Sequence, residues 1–130
     1  MNTLRDQLVD VCDQLHYKVT EVDNSSVSIR YQMHIIHICY NEKSPNDCTV
    51  MTAVMKEIPE GERMQVLERC NDLNERLKHY KYYIMGPVVV ASIEFCFGND
   101  DELKYQMDHA VRYVSTAKSL FERNNRSDGT

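Results

Sequence analysis

The side chains best suited to chemistry in this chain lie close together: His34, His37, Cys39 and Cys48. Imidazole and thiol groups bind borderline and soft metals, and a Cys–His pair can generate a thiolate nucleophile. The spacing favours neither use. In an extended segment His34 and His37 point to opposite faces, which leaves His37 and Cys39 on one face and Cys48 across a hairpin. Structural zinc takes four ligands, usually at recognisable spacing. A catalytic thiol needs a base within hydrogen-bond reach and an electropositive pocket, and no helix start or glycine-rich loop adjoins this pair. Core or edge packing is the expected role of these residues, with no metal, no cofactor and no catalytic residues.

The acids point the same way. Asp100, Asp101 and Glu102 suit the positive end of a helix, and Glu57, Glu60 and Glu62 flank the start of another. Neither set sits in an apolar surround that would raise a carboxyl pKa for acid–base work. The four glycines are isolated, so no phosphate-cradling loop can form. The chain is therefore expected not to be an enzyme.

What remains is polar and aromatic. Asn71 and Asn74 are three apart on one face of a helix, where they either satisfy nearby backbone groups or contact a ligand or partner. Tyr80 and Tyr82 share one face of a strand, and Lys81 and Tyr83 share the other. Rigid aromatic strips are favoured at interfaces. Tyr80, Tyr82, Tyr83, Tyr40 and His37 are thus the candidate partner-binding residues.

These groups are carried by a legible order of elements. Leu4, Leu8, Val11, Cys12 and Leu15 recur at helical spacing. Lys18 to Val22 is a segment too short to count, ended by the turn composition Asp23-Asn24-Ser25-Ser26. Strands are expected over Val27–Gln32, His34–Tyr40 and Cys48–Met55. A helix follows, with Met64, Leu67, Cys70, Asn71, Asn74 and Leu77 on its inner stripe. Tyr80–Met85 and Val88–Phe97 read as strands about Gly86-Pro87, and a long helix runs from Leu103 to Phe121 after an Asn99-Asp100-Asp101 cap. The order is α-β-β-β-α-β-β-α. Short connections require antiparallel pairing, and three amphipathic helices need a surface to cover. The expected fold is α+β, a two-layer antiparallel sheet with helices on one face, in a single domain over residues 1–123 with a frayed polar tail over 124–130.

Composition narrows the partners. The chain has 130 residues, a net charge of −5 and a pI near 5.5. Without a basic cluster it is a poor nucleic-acid binder. Met1 to Val11 lacks the apolar stretch of a signal peptide, and the apolar run Ile84–Ala91 is too short for a membrane span. Five cysteines without a Cys-x-x-Cys motif suit reduced thiols in the cytoplasm.

The segment Cys70-Asn71-Asp72-Leu73-Asn74-Glu75-Arg76-Leu77-Lys78, with its Asn-x-x-Asn, follows a strand block that opens on Val27-Ser28-Ile29-Arg30-Tyr31-Gln32 and precedes a paired strand and a long helix. This arrangement resembles the YbjN family, whose fold is that of type III secretion chaperones, over residues 4 to 122. Gln32-Met33 departs from the pattern, since a glycine would turn there more easily. The resemblance implies a small bacterial, non-enzymatic protein, often dimeric, sensory or regulatory, with chaperone relatives that bind extended segments of other proteins. The expected function is accordingly a protein-binding module, chaperone-like or an adaptor, acting as a homodimer. The alternative is a small-ligand sensor with a polar pocket near Asn71 and Asn74.

Overall fold

The computed structural model describes residues 3–128, with side chains for residues 3–123. Helix α1 (Leu4–Gln14) opens with a capping box: Thr3 Oγ1 accepts the Asp6 N–H at 3.1 Å, and the Asp6 carboxylate accepts the Thr3 N–H. It buries Leu4, Leu8, Val11 and Cys12. It closes with His16 at φ 63, where the His16 N–H donates to Asp13 O and the Tyr17 N–H to Cys12 O. This is a Schellman arrangement with histidine in the left-handed position that usually holds glycine. It turns the chain directly into β1 (Lys18–Val22).

Strand β1 is a full member of the sheet, although its length alone left it uncounted. It pairs antiparallel with β2 (Ser26–Tyr31), joined by a turn in which Asp23 Oδ1 accepts the N–H groups of Ser25 and Ser26, both at 2.8 Å. Next come β3 (His34–Cys39), β4 (Asp47–Met55), α2 (Arg63–Arg76), β5 (Lys81–Met85), β6 (Val88–Cys96), α3 (Asp100–Val114) and α4 (Ala117–Asp128). The six strands form one antiparallel sheet in the order β1-β2-β3-β4-β6-β5. Among the described residues no helix is long and apolar enough to cross a membrane.

The β2–β3 hairpin turns on Gln32 and Met33, at φ 47 and 70. A two-residue I′ turn needs both central residues left-handed. The missing glycine is replaced by two ordinary residues that accept the strain, and Met33 is 96% exposed. The expected long last helix is divided. The Ser115 hydroxyl donates to Arg112 O at 2.6 Å and the Thr116 hydroxyl to Tyr113 O at 2.7 Å, competing with the backbone ladder where α3 ends. Helix α4 continues to Asp128, past the expected boundary at 123. The last two residues of the expected tail lie outside the described residues.

One face of the sheet is dry. Val27, Ile29, Ile36, Ile38, Val50, Val54, Val89 and Ala91 are buried there beneath α1, α3 and α4. Helix α2 packs at the β5 end of the sheet and against α4. It buries Val66, Arg69, Cys70 and Leu73, whereas Met64 and Leu67, expected inward, are exposed. Two overlapping apolar stripes run along this helix, and its docking on β5 selects one of them.

That docking closes an edge of the sheet. Asn74 Oδ1 accepts the Tyr82 N–H at 2.7 Å, and Asn74 Nδ2 donates to Tyr82 O at 2.9 Å. One side-chain amide thus takes the place of a neighbouring strand at Tyr82, the second residue of β5. We expect Asn74→Ala to lose about 1–3 kcal/mol in urea denaturation, because both Tyr82 backbone groups lose their partner. Asn71→Ala, at an exposed position, is expected to stay within about 0.5 kcal/mol of wild type. Equal effects of the two would show that the edge contact is not stabilising.

Candidate functional site

The candidate aromatic residues do not converge. Tyr40, Tyr80 and Tyr82 lie on the helix-covered face and are buried, Tyr82 to 2% exposure. Their hydroxyls are engaged internally: Tyr40 donates to Asp23 O at 2.7 Å, Tyr82 donates to Ala117 O at 2.8 Å, and Tyr80 lies 3.2 Å from Thr116 Oγ1. The Tyr82 ring packs on Tyr80 and Phe121. These three tyrosines are core residues that tie the sheet to loops and α4, which corrects their expected place in an exposed strip. Pairing puts Tyr83 and His37 on the other face. Lys81 Nζ lies 5.5 Å from the Tyr83 ring centroid, and His37 Nδ1 lies 2.8 Å from Ser28 Oγ.

The Asn pair also separates. Both are exposed, but only Asn74 is committed to β5 by its amide. Neither lines the recess described below.

The thiols divide across the sheet. Cys48 is buried in the core, and Cys39 faces the open side, with its Sγ 3.6 Å from Met51 Sδ. Among the described residues no group of three or more His, Cys, Asp or Glu could hold a metal ion. Burial pushes the Cys12 and Cys48 thiols up to about 12. Burial, and then the Asp23 carboxylate, raise the Cys39 thiol. This is the reverse of what an activated nucleophile needs. Cys96 is exposed, and its thiol donates to Asp47 Oδ1 at 3.1 Å, which raises its pKa.

One recess on the surface is not signalled by the sequence. It is a cavity of about 520 Å³ between α1 and β1. Val9, Tyr17, Val19 and Val22 supply its apolar surface, and Arg5, Asp6, Asp10 and Asp13 its charged border. Val19 and Val22 are three apart and would normally face opposite ways. A bulge between Val19 and Glu21 adds a residue, so Val19 pairs with Ile29 and Val22 with Val27 on the same face. The Tyr17 ring meets Tyr31 edge-on at 5.6 Å, and its hydroxyl donates to Asp108 at 3.1 Å. Burial and that carboxylate raise the Tyr17 pKa. Beyond the groove, β1 is the last strand of the sheet, and among the described residues no strand pairs with its outer edge.

A family model described as T3SS (YopN, CesT) and YbjN peptide-binding chaperone 1 matches residues 2–122. The chain belongs to this family. Solved structures share its fold. YbjN from E. coli aligns with a TM-score of 0.70 at 12% identity, covering 94% of this chain and 92% of that one. An uncharacterized protein from Methanothermobacter thermautotrophicus aligns at 0.61 and 11% identity, covering 92% and 97%. A chain of the heterodimeric ExoU–SpcU complex, from the type III secretion system of Pseudomonas aeruginosa, aligns at 0.55 and 13% identity, covering 85% and 94%. No curated protein matches the sequence. The YbjN-like, secretion-chaperone-like α+β architecture implied by the middle-helix segment and the element order is therefore the fold of this chain.

Alkylation tests the thiol environments. Cys96 is expected to react first at mildly alkaline pH. Asp47→Asn should speed it, because losing the carboxylate lowers the thiol pKa and raises the thiolate fraction. Faster reaction at Cys39 than at Cys96 would instead reveal an activated thiol.

Proposed function

We propose that this protein is a non-enzymatic chaperone or adaptor that binds an extended segment of another protein as an added strand on β1. The carrying observation is the juxtaposition of the unpaired β1 edge with the apolar groove against α1. Strand addition draws affinity from main-chain hydrogen bonds and specificity from pockets that take alternate side chains. Val9, Tyr17, Val19 and Val22 would receive the inward residues of the segment. Asp6, Asp10 and Asp13 outnumber Arg5 along the groove, so basic residues flanking the apolar ones would be preferred. Membership of a peptide-binding chaperone family supports this reading, as does the heterodimeric complex among the structural relatives. Five free cysteines suit action in the cytoplasm.

An array of short peptides alternating apolar and polar residues, with and without flanking lysines, tests it. The lysine-flanked set should bind, and raised salt should weaken it. Val22→Asp should weaken binding at least about tenfold. Val22 is already 43% exposed, so the unfolding midpoint should change little. Unaltered binding by Val22→Asp would remove the groove from the function.

A second copy of the chain is the occupant we propose for the open sheet face. Ile35, Met51, Tyr83 and Met85 lie there, with Ile35 and Met85 exposed. Exposed apolar side chains grouped on an open sheet face suit an interface. Tyr83→Asp combined with Met85→Asp should turn a dimer into a monomer in light scattering. An unchanged mass would rule out this face as the dimer contact.

A further inference from the structure

The open face of the sheet brings an imidazole, a thiol and a thioether together across β3 and β4. We infer that His37, Cys39 and Met51 form a binding site for one soft monovalent metal ion, Cu(I). The inference does not rest on strand addition at β1, since none of the three lines that groove.

Spacing alone sets Cys48 across the hairpin from His37 and Cys39, but the fold turns Cys48 into the core. Antiparallel register supplies a different third ligand. His37 lies opposite Met51 and Cys39 opposite Thr49, so Met51 sits diagonal to Cys39 on the same face. Cys39 Sγ lies 3.6 Å from Met51 Sδ, and both residues are half-buried. With metal–sulfur bonds of about 2.3 Å, that separation lets both sulfurs hold one ion at an S–metal–S angle of about 100°. The two sulfurs therefore already stand at chelating distance.

The imidazole is held from its other side. His37 Nδ1 lies 2.8 Å from the Oγ of Ser28, a buried residue. A metal-bound histidine commonly gives its second ring nitrogen to such a partner, which fixes the ring and its tautomer. Ser28 and Met51 flank His37 from β2 and β4. The remaining ring nitrogen, Nε2, is the one available to an ion.

The donor types decide which ion. A thiolate and a thioether select Cu(I), and imidazole suits copper as well. Structural zinc takes four ligands drawn from Cys, His, Asp and Glu, and only two of these three residues belong to that set. Calcium and magnesium need oxygen ligands. Binding replaces the Cys39 S–H proton with the ion. The proton leaves to solvent and no electron is transferred. Burial, which raises the Cys39 thiol, keeps it protonated until the ion arrives.

Anaerobic titration of the full chain with Cu(I), in competition with a chromogenic Cu(I) chelator, tests the site, and X-ray absorption at the copper edge reads the donors. One ion per chain is expected, with two sulfur neighbours and one nitrogen. Met51→Leu keeps the side-chain volume and removes the thioether. It should weaken Cu(I) binding at least about tenfold, and Cys39→Ser at least about a hundredfold. Ser28→Ala should weaken it about tenfold by releasing the ring. Cys96→Ser, at the exposed thiol, should leave the affinity unchanged. Tyr83→Asp combined with Met85→Asp, two strands away on β5, should still bind one ion per chain, so the site is tested separately from the proposed self-contact. The inference is overturned if Met51→Leu binds as tightly as wild type, if Cys96→Ser loses as much affinity as Cys39→Ser, or if three or more sulfurs surround the copper.

Discussion

Alternation along β2, β3 and β4 sends every second side chain to one side of the sheet, and the molecule is organised around keeping that side dry. The rows through Val27, Ile29, Ile36, Ile38 and Val50 have no exposure at all. Strand pairing alone cannot achieve this, since a lone sheet leaves both faces wet. Three helices supply the cover, and each carries an apolar stripe that would be unstable in water by itself. The aromatic hydroxyls follow from the same constraint. Tyr40 and Tyr82 could be drawn into the dry layer only because carbonyls of Asp23 and Ala117 accept their protons.

A sheet covered on one face still has two edges and a second face, and here these are treated unequally. At β5 the Asn74 amide occupies the outward backbone groups of Tyr82, so further pairing is blocked near the start of the strand. At β1 only a bulge intervenes. The bulge limits a long flat pairing surface, and it also brings Val19 and Val22 to the same side, where they meet Val9 on α1. The capped helix, its Schellman turn and the short strand after it therefore build one recess. The uncovered face has a mixed character. Ser28, His37, Met51, Ser92 and Lys81 form a continuous row across five strands, with Ser28 and Ser92 buried between longer neighbours.

The reactive groups are placed against reactivity. Cys12, Cys48 and Cys70 are small core residues whose thiols are held protonated by burial. Cys39 is raised further by Asp23. The acids at the start of α3 act locally: Asn99 Oδ1 accepts the Glu102 N–H at 2.8 Å, and Asp100 accepts from Gln7 at 2.6 Å, tying α3 to α1. The core thiols and these acids thus serve packing and capping, and an open strand edge with a recess beside it is a surface feature suited to recognition.

The sequence by itself determined the fold class, because period-2 and period-3.6 patterns and short turns leave few alternatives to an antiparallel sheet with helices on one side. It also located the hairpin at Gln32-Met33 and the α3 cap, each a local matter of backbone groups needing partners, and it left open whether Asn71 and Asn74 serve backbone groups or a ligand. Tertiary structure decided what depends on neighbours. Lys18–Val22 was too short to count alone, and only pairing with β2 makes it a strand. Along α2 two apolar stripes compete, and docking on β5 chose Val66, Cys70 and Leu73 over Met64 and Leu67. The tyrosines had two equivalent faces to choose from, and helix coverage buried Tyr80 and Tyr82 while leaving Tyr83 outside. The groove was invisible in one dimension, since its apolar wall joins residues of α1 and β1 through a bulge that no hydrophobic period records.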